Sequence, residues 1–324
     1  MKRTLSFLMV AGLLLLASCE LYLDEPRQGD VYHINVALDY ENNSSAKDNL
    51  GGTLNDAEEL HLALGSVTAG AQRAGTGYRM IQKGSGYAGD HIYSVNSTLI
   101  SNYPTKSNIH SLLTNLSAVV QEDDLTIFTY SGHGVEESGH LVLAKPVSTV
   151  DAETLDPTTL LSWMAAIPGK KLIILDSCYS GMFVDGSPSS TSTVLDNSIQ
   201  KFFETYHSSD RYEKPDLFVL SASAHADSYE MNYGTEANEH KHGVFTYALL
   251  QALGWKHTSK TDPSLVQIFS PPAAKWGRIT VDDLFKYITK NQVLPTRLRL
   301  FGSWSEYQHP LTTGGPLDLA LFNL

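Results

Sequence analysis

Four short stretches of mostly apolar residues predict the central strands of this chain. They lie at Tyr32–Leu38, Leu125–Tyr130, Lys171–Leu175 and Leu217–Leu220. The two middle stretches are nearly continuous in apolar character rather than alternating, which is typical of strands covered on both faces. The pattern therefore predicts a mostly parallel sheet buried between two layers.

Apolar residues at helical spacing predict helices between and after these strands. We expect helices that begin near Asn55, at a cap on Ser107, over residues 158–166, near Asn197–Tyr206, over Val244–Leu253 and near Val281–Lys290. The glycine-rich stretch 65–89 shows no clear pattern, and residues 256–275 are interpreted as an irregular loop. Alternating strands and helices predict an α/β fold with helices on both faces of the sheet.

The first residues predict export. Lys2 and Arg3 precede the apolar run Leu5–Ala17, which is too short for a permanent membrane span and matches a secretory signal. The run ends in Leu-Ala-Ser-Cys19, which resembles the lipobox of bacterial lipoproteins. In that family the cysteine is diacylated and becomes the mature N-terminus, so residues 1–18 are expected to be the signal peptide and 19–30 a polar tether. An ordinary signal peptide cut elsewhere is the alternative. Glu20 does not match the aspartate type of inner-membrane retention signal, which favours the outer membrane of the cell envelope and leaves the facing side open.

Charge narrows the set of partners. Removing residues 1–18 leaves 306 residues and takes away two positive charges, which changes the net charge from −12 to −14. An acidic chain of this kind is a poor partner for nucleic acid and fits a cationic substrate. No later stretch approaches the ~20 apolar residues of a transmembrane helix, so the membrane is expected as a partner only through the N-terminal lipid.

The two cysteines support a first hypothesis about chemistry, that one of them is a reactive thiol. If Cys19 is lipidated, Cys178 is the only thiol of an exported protein and has no internal disulfide partner. A buried structural cysteine is the alternative. It is disfavoured because Cys178 follows the apolar run, between Ser177 and Tyr179, instead of lying inside it.

A histidine follows the neighbouring strand. His133 lies in Ser131-Gly132-His133-Gly134, and the carboxyl ends of parallel strands share one edge of a sheet, so His133 and Cys178 are expected to meet. An imidazole can activate a thiol and then protonate a leaving amine. The backbone N–H groups of Gly134 and Cys178 could hold an oxyanion, a contribution of roughly 3 kcal/mol per donor.

These two motifs resemble those of the metacaspases and other caspase-fold (clan CD) cysteine peptidases. The resemblance rests on Tyr-Ser-Gly-His-Gly at 130–134 and Asp-Ser-Cys-Tyr-Ser-Gly at 176–181, and it extends to Asn-Asp-Ala at 55–57, Leu-Ser-Ala-Ser at 220–223 and Gly-Val-Phe-Thr-Tyr-Ala at 243–248. It implies a caspase-like peptidase domain over 31–324. A large-subunit-like part would span about 31–185, a linker about 186–215 and a small-subunit-like part about 216–324.

The resemblance also implies roles for single residues. His133 and Cys178 would form the catalytic dyad, and Asp56, Ser131 and Asp176 would line the pocket for the residue before the scissile bond. Two acids in one pocket favour Arg or Lys there, so the expected substrate is a peptide or protein cut after a basic residue. Thr53 stands where the family often has a cysteine. Arg211, in the linker, is the candidate site of self-cleavage.

The chemistry requires no cofactor, but some metacaspases need calcium, and Asp185 matches one of their aspartates. An exposed acidic loop is an equal alternative at Asp185.

His140, His240 and His242 lack ligands at zinc-like spacing and are interpreted as surface loop residues. Two other functions stay open: a catalytically inactive caspase-fold binding module, and acyl transfer or ligation through the same acyl-enzyme.

Overall fold

The computed structural model describes residues 28–41, 49–84, 91–145, 153–185, 199, 202–203, 216–224, 226–267, 270–294, 296–303, 307–313 and 317–324. The predicted signal, Cys19, Arg211 and nearly all of the helix predicted near Asn197–Tyr206 lie outside these residues. The domain boundaries at 1–18 and 19–30 and the linker at 186–215 therefore stay predictions. Among the described residues, no helix has the length and apolar character needed to cross a membrane.

The described part of the chain contains sixteen strands and six α-helices. The strands are β1 (Val31–Leu38), β2 (Gly75–Gln82), β3 (Ile92–Val95), β4 (Thr98–Ser101), β5 (Leu125–Ser131), β6 (Leu141–Val142), β7 (Thr154–Leu155), β8 (Lys170–Asp176), β9 (Leu217–Ser221), β10 (Glu230–Asn232), β11 (Lys241–Gly243), β12 (Trp255–His257), β13 (Leu265–Gln267), β14 (Arg278–Thr280), β15 (Leu311–Thr312) and β16 (Ala320–Asn323). The helices are α1 (Thr53–Gly70), α2 (Lys106–Leu116), α3 (Pro157–Ala165), α4 (Val244–Ala252), α5 (Val281–Asn291) and α6 (Thr296–Phe301).

Six strands form the central sheet in the order β15-β9-β8-β5-β1-β2. The five long strands pair in parallel, and only the short β15 runs antiparallel, against β9. The four strands predicted from the apolar runs are adjacent in this sheet. The predicted α/β architecture, with a mostly parallel central sheet, is confirmed.

Side chains of β5 show why its sequence is mostly apolar instead of alternating. Phe128 and Tyr130 pack into the core beneath α2 and α3, whereas Leu125 and Ile127 pack into the core beneath α1, α4 and α5. Because successive residues of a strand point to opposite faces, a strand covered on both faces has apolar residues on both of them, although β5 also buries Thr126 and Thr129. Burying each of these side chains contributes roughly 1.5–3 kcal/mol.

Three local expectations differ from the structure. Helix α2 begins one residue after Thr105, whose side chain accepts a hydrogen bond from the Asn108 N–H, so the cap predicted at Ser107 is wrong. The stretch interpreted as an irregular loop contains the antiparallel pair β12 and β13. The glycine-rich stretch supplies β2, an edge strand, where the sequence pattern is weak because fewer of its residues are buried.

Candidate active site

Strand register brings the two predicted catalytic motifs together. Ser131 at the end of β5 lies opposite Asp176 at the end of β8, and the Gly132 N–H donates to the Asp176 carbonyl at 3.2 Å. The residues that follow, His133 and Cys178, line the same cavity of about 720 Å³. The expectation that they meet at one edge of the sheet agrees with this geometry.

Cys178 lies in a tight turn after β8. Tyr179, the next residue, has a left-handed backbone with φ of 54°, and the Gly181 N–H donates to the Ser223 carbonyl at 2.7 Å. A side chain at position 181 would stand 2.3 Å from the Ala224 carbonyl oxygen, so this position requires glycine. The turn therefore leaves Cys178 half-buried in the wall of the cavity.

The thiol environment favours the protonated form. Burial raises the pKa of the Cys178 thiol, as do the carboxylates of Asp227 and Asp176, while a hydrogen bond from the Ser228 N–H opposes them; the resulting pKa is about 11. The distance from that nitrogen to the Cys178 Sγ atom is 3.4 Å. A raised pKa favours the thiol over the thiolate, which is the form of cysteine that attacks a carbonyl.

Two tyrosines fix the backbone of His133. The Tyr40 hydroxyl accepts from the His133 N–H at 2.9 Å, and the Tyr130 hydroxyl donates to the His133 carbonyl at 2.9 Å. The ring centroids of Tyr40 and His133 lie 4.5 Å apart. Position 132, next to His133, requires glycine because an added Cβ would stand 2.4 Å from the Tyr40 hydroxyl. Sequence reasoning missed Tyr40, which follows a strand with no recognisable motif around it.

Gly134 lies directly against the turn that carries Cys178. A Cβ at this position would stand 1.9 Å from the carbonyl oxygen of Cys178 and 3.3 Å from its backbone nitrogen. The backbone segments expected to supply the oxyanion hole are therefore adjacent. Their role in binding an oxyanion stays a prediction.

The residues expected in the substrate pocket occupy different depths. Ser131 and Asp176 line the cavity, whereas Asp56 is fully buried behind Ser131, outside the cavity lining. The Asp56 carboxylate accepts from the Ser131 hydroxyl at 2.6 Å, from the Gly243 N–H at 3.2 Å and from His242 Nδ1 at 2.7 Å. Burial raises its pKa. In this arrangement Asp56 positions Ser131 and Gly243, and its charge is already partnered.

Asp176 is held by a second set of donors. Its carboxylate accepts from the Ser228 hydroxyl at 2.6 Å and from both the N–H and the hydroxyl of Thr246, at 2.9 and 2.7 Å. Burial raises the pKa of Asp176, and these hydrogen bonds oppose that shift. Thr246 lies in the first turn of α4, so a helix that follows β9 along the chain orients an acid at the end of β8.

Sequence reasoning missed further acids at the cavity. Glu136, Asp227 and Glu230 line it together with Asp176, and none of the described lining residues is Lys or Arg. Glu230 is half-buried and accepts from the N–H groups of Gly51 and Gly52. The sequence did not reveal Glu230 as a cavity residue, because β10 is short and shows no alternation of apolar and polar residues. The cavity is therefore strongly anionic.

Acidic side chains of the described residues do not gather around Asp185, the candidate calcium ligand. Asp185 is exposed after the turn Ser180–Phe183, and its N–H donates to the Gly181 carbonyl. Of the nearby acids, Glu153 accepts from the Lys106 N–H and Asp156 caps α3, while Asp151 lies outside the described residues. Within the described ranges, Asp185 belongs to no group of side chains suited to a metal.

The interpretation of His240 and His242 as surface loop residues is wrong. His242 is fully buried on β11, and the His240 side chain is only 21% exposed. Burial lowers the pKa of His242, but the neighbouring carboxylates of Asp56 and Glu59 outweigh this and raise it above its ordinary value. One signal was available: residues two apart on a strand share a face, so the pair points into the protein together. His140, the third of the set, is half-buried in the loop before β6.

Comparison with known proteins identifies the family of this chain. The model of the caspase domain, peptidase family C14, matches residues 35–271, which is most of the chain. The chain therefore belongs to the caspase-domain family of cysteine peptidases, and the resemblance of its motifs to caspase-fold peptidases is confirmed. It is also similar to the crystal structure of a protein from Geobacter sulfurreducens, with 14% identity, 92% of this chain and 99% of that chain covered, and a TM-score of 0.46. No curated protein matches the sequence.

Proposed function

We propose that the protein is a cysteine endopeptidase that uses Cys178 and His133 and cleaves after arginine or lysine. The observation that carries the proposal is the single cavity lined by both residues and by four carboxylates. Family membership supports a peptidase-like activity, and the anionic lining supports a basic residue before the scissile bond.

The proposed reaction begins with a neutral thiol. His133 takes the proton of Cys178 as the sulfur attacks the scissile carbonyl, and the N–H groups of Gly134 and Cys178 stabilise the oxyanion. The C–N bond then breaks as the His133 imidazolium protonates the leaving amine. Water, activated by the neutral imidazole, hydrolyses the thioester and restores the thiol.

The proposed specificity follows from charge and shape. A planar guanidinium can donate to two carboxylate oxygens at once, whereas an ammonium is a single point charge. Among the lining acids, Asp176 has its carboxylate held in the cavity wall by the Ser228 hydroxyl and by Thr246. We therefore expect arginine to be preferred over lysine, and aspartate to be excluded by repulsion.

The experiment compares fluorogenic peptides that end in Arg, Lys, citrulline or Asp, with and without calcium. Citrulline matches arginine in shape but has no charge. Hydrolysis after Arg and Lys, loss of activity with citrulline and no turnover by Cys178→Ala would support the proposal. Preference for Asp would overturn the specificity. A folded wild-type chain that cleaves none of the peptides would instead fit an inactive binding module.

We also propose that lipid on Cys19 attaches the protein to the cell envelope, at the outer membrane. The proposal rests on the lipobox-like sequence alone. Cys19→Ser is expected to move the protein from the membrane fraction to the soluble fraction and to abolish incorporation of labelled fatty acid. Wild-type protein recovered wholly in the soluble fraction would contradict the anchor.

A further inference from the structure

Four side chains that can bind metal converge behind the candidate active site. They are Glu59 of α1, His240 and His242 at β11, and His257 of β12. None of them lines the catalytic cavity. They come from three segments that are up to 198 positions apart in sequence, so only the tertiary structure brings them together.

Their spacing suits a small tetrahedral ion. Glu59 Oε2 lies 3.1 Å from His242 Nε2 and 3.8 Å from His257 Nε2, and the two histidine nitrogens are 3.0 Å apart. Nitrogen and oxygen ligands at ~2.0–2.1 Å from a tetrahedral Zn²⁺ stand about 3.3 Å from one another. His240 Nε2 is the fourth donor, 2.6 Å from Glu59 Oε1, and all four donor atoms lie within 4.8 Å of one another.

The other nitrogens of two of the histidines are already engaged. His257 Nδ1 lies 2.6 Å from the Pro263 carbonyl, which can only accept, so this nitrogen carries the hydrogen and His257 Nε2 presents its lone pair to the centre. His242 Nδ1 lies 2.7 Å from Asp56 Oδ1. A histidine that binds metal commonly donates its second N–H to a carboxylate or a backbone carbonyl in this way.

One carboxylate oxygen of the cluster faces two ring nitrogens. Glu59 is 6% exposed, and its buried Oε2 atom lies 3.1 Å from His242 Nε2 and 3.8 Å from His257 Nε2, without the geometry of a hydrogen bond to any group that the structure describes. A buried carboxylate oxygen is normally hydrogen-bonded or bound to a cation. Glu59 Oε2 and the Nε2 atoms of His242 and His257 face a common centre, which favours a cation at that centre.

We propose that Glu59, His240, His242 and His257 bind one Zn²⁺ ion. Three imidazoles and one carboxylate suit zinc, whereas calcium and magnesium prefer oxygen ligands alone. Four protein ligands complete a tetrahedron, so the site is structural rather than catalytic. The ion would join α1 to β11 and to the hairpin β12–β13. It would also fix the ring of His242, which contacts Asp56. The site does not depend on the proposed peptidase activity.

The test uses the full chain carrying Cys178→Ala, so that the cavity thiol cannot bind the metal. After treatment with a chelator, the protein is titrated with Zn²⁺ by calorimetry and, separately, with Co²⁺ by visible absorption. We expect one equivalent of Zn²⁺ to bind and Co²⁺ to give the strong absorption of tetrahedral coordination. Glu59→Gln and His257→Gln should each weaken binding by more than the ~10–100-fold that loss of an outer hydrogen-bond partner costs.

His110→Gln is the matched control. His110 is exposed on α2 and stacks on Trp163, away from the cluster, and its substitution should leave Zn²⁺ affinity unchanged. Binding that is equally strong in Glu59→Gln, His257→Gln and the control would overturn the site. If the ligand variants do not fold, the parent chain decides the question, because absence of stoichiometric Zn²⁺ or of tetrahedral Co²⁺ absorption would refute it.

Discussion

The Cys178 thiol is expected to react slowly with an alkylating reagent at neutral pH. Its pKa of about 11 compares with about 9 for an ordinary cysteine. At pH 7.5 the thiolate fraction is then about 100-fold smaller than for a free thiol. A thiolate of higher pKa is more nucleophilic, by roughly tenfold over this interval. The net expectation is a rate about tenfold below that of a free thiol.

The perturbation is Asp227→Asn. The Asp227 carboxylate raises the pKa of Cys178 through its charge and through a hydrogen bond, so removing the charge should lower the pKa and speed alkylation near neutral pH. Asp318→Asn, at an exposed position outside the cavity lining, is the matched control and should change nothing. Comparison of the two variants separates the effect of the Asp227 charge on Cys178 from the effect of a general change in net charge.

The assay is the rate of iodoacetamide labelling between pH 6 and pH 10, followed by mass spectrometry. In a Cys19→Ser chain, Cys178 is the only thiol, so all labelling reports on it. Because the thiol pKa is raised, the rate should still be rising at pH 10. A plateau with a midpoint between pH 6 and pH 8 that disappears in His133→Ala would refute the reasoning, since it would show a preformed thiolate–imidazolium pair.

Three further outcomes follow from the structure. Gly134→Ala should abolish peptidase activity because its Cβ would meet the Cys178 carbonyl oxygen. The control Gly65→Ala, in α1 with open space around it, should stabilise the fold by roughly 0.5–1 kcal/mol in thermal unfolding. An active Gly134→Ala enzyme would show that the segments around Gly134 and Cys178 move apart. Asp176→Asn should reduce kcat/KM more for Arg than for Lys substrates, and an equal loss for both would argue against bidentate binding. If the chain processes itself, wild type should yield fragments split near Arg211 on a denaturing gel while Cys178→Ala stays whole, and fragments from Cys178→Ala would assign the cut to another protease.

The sequence by itself determined the centre of the sheet and the place of the candidate active site. A parallel strand covered on both faces has apolar residues on both of them, so Leu125–Tyr130 and Lys171–Leu175 were recognisable without any neighbour. The carboxyl ends of such strands share an edge, which put His133 and Cys178 together. These inferences depend only on local pattern and on the geometry common to parallel sheets.

The tertiary structure alone decided what surrounds these residues. Asp56 and His242 are 186 positions apart, and neither carries a local pattern that reveals its partner. His257 lies in a stretch with no periodicity, because a hairpin of two three-residue strands is too short to show alternation. A sequence pattern records which positions favour burial. The partner of a buried charge is set by how helices and strands pack, and for this reason the pairing of Asp56 with His242 and the cluster of histidines appeared only in the folded chain.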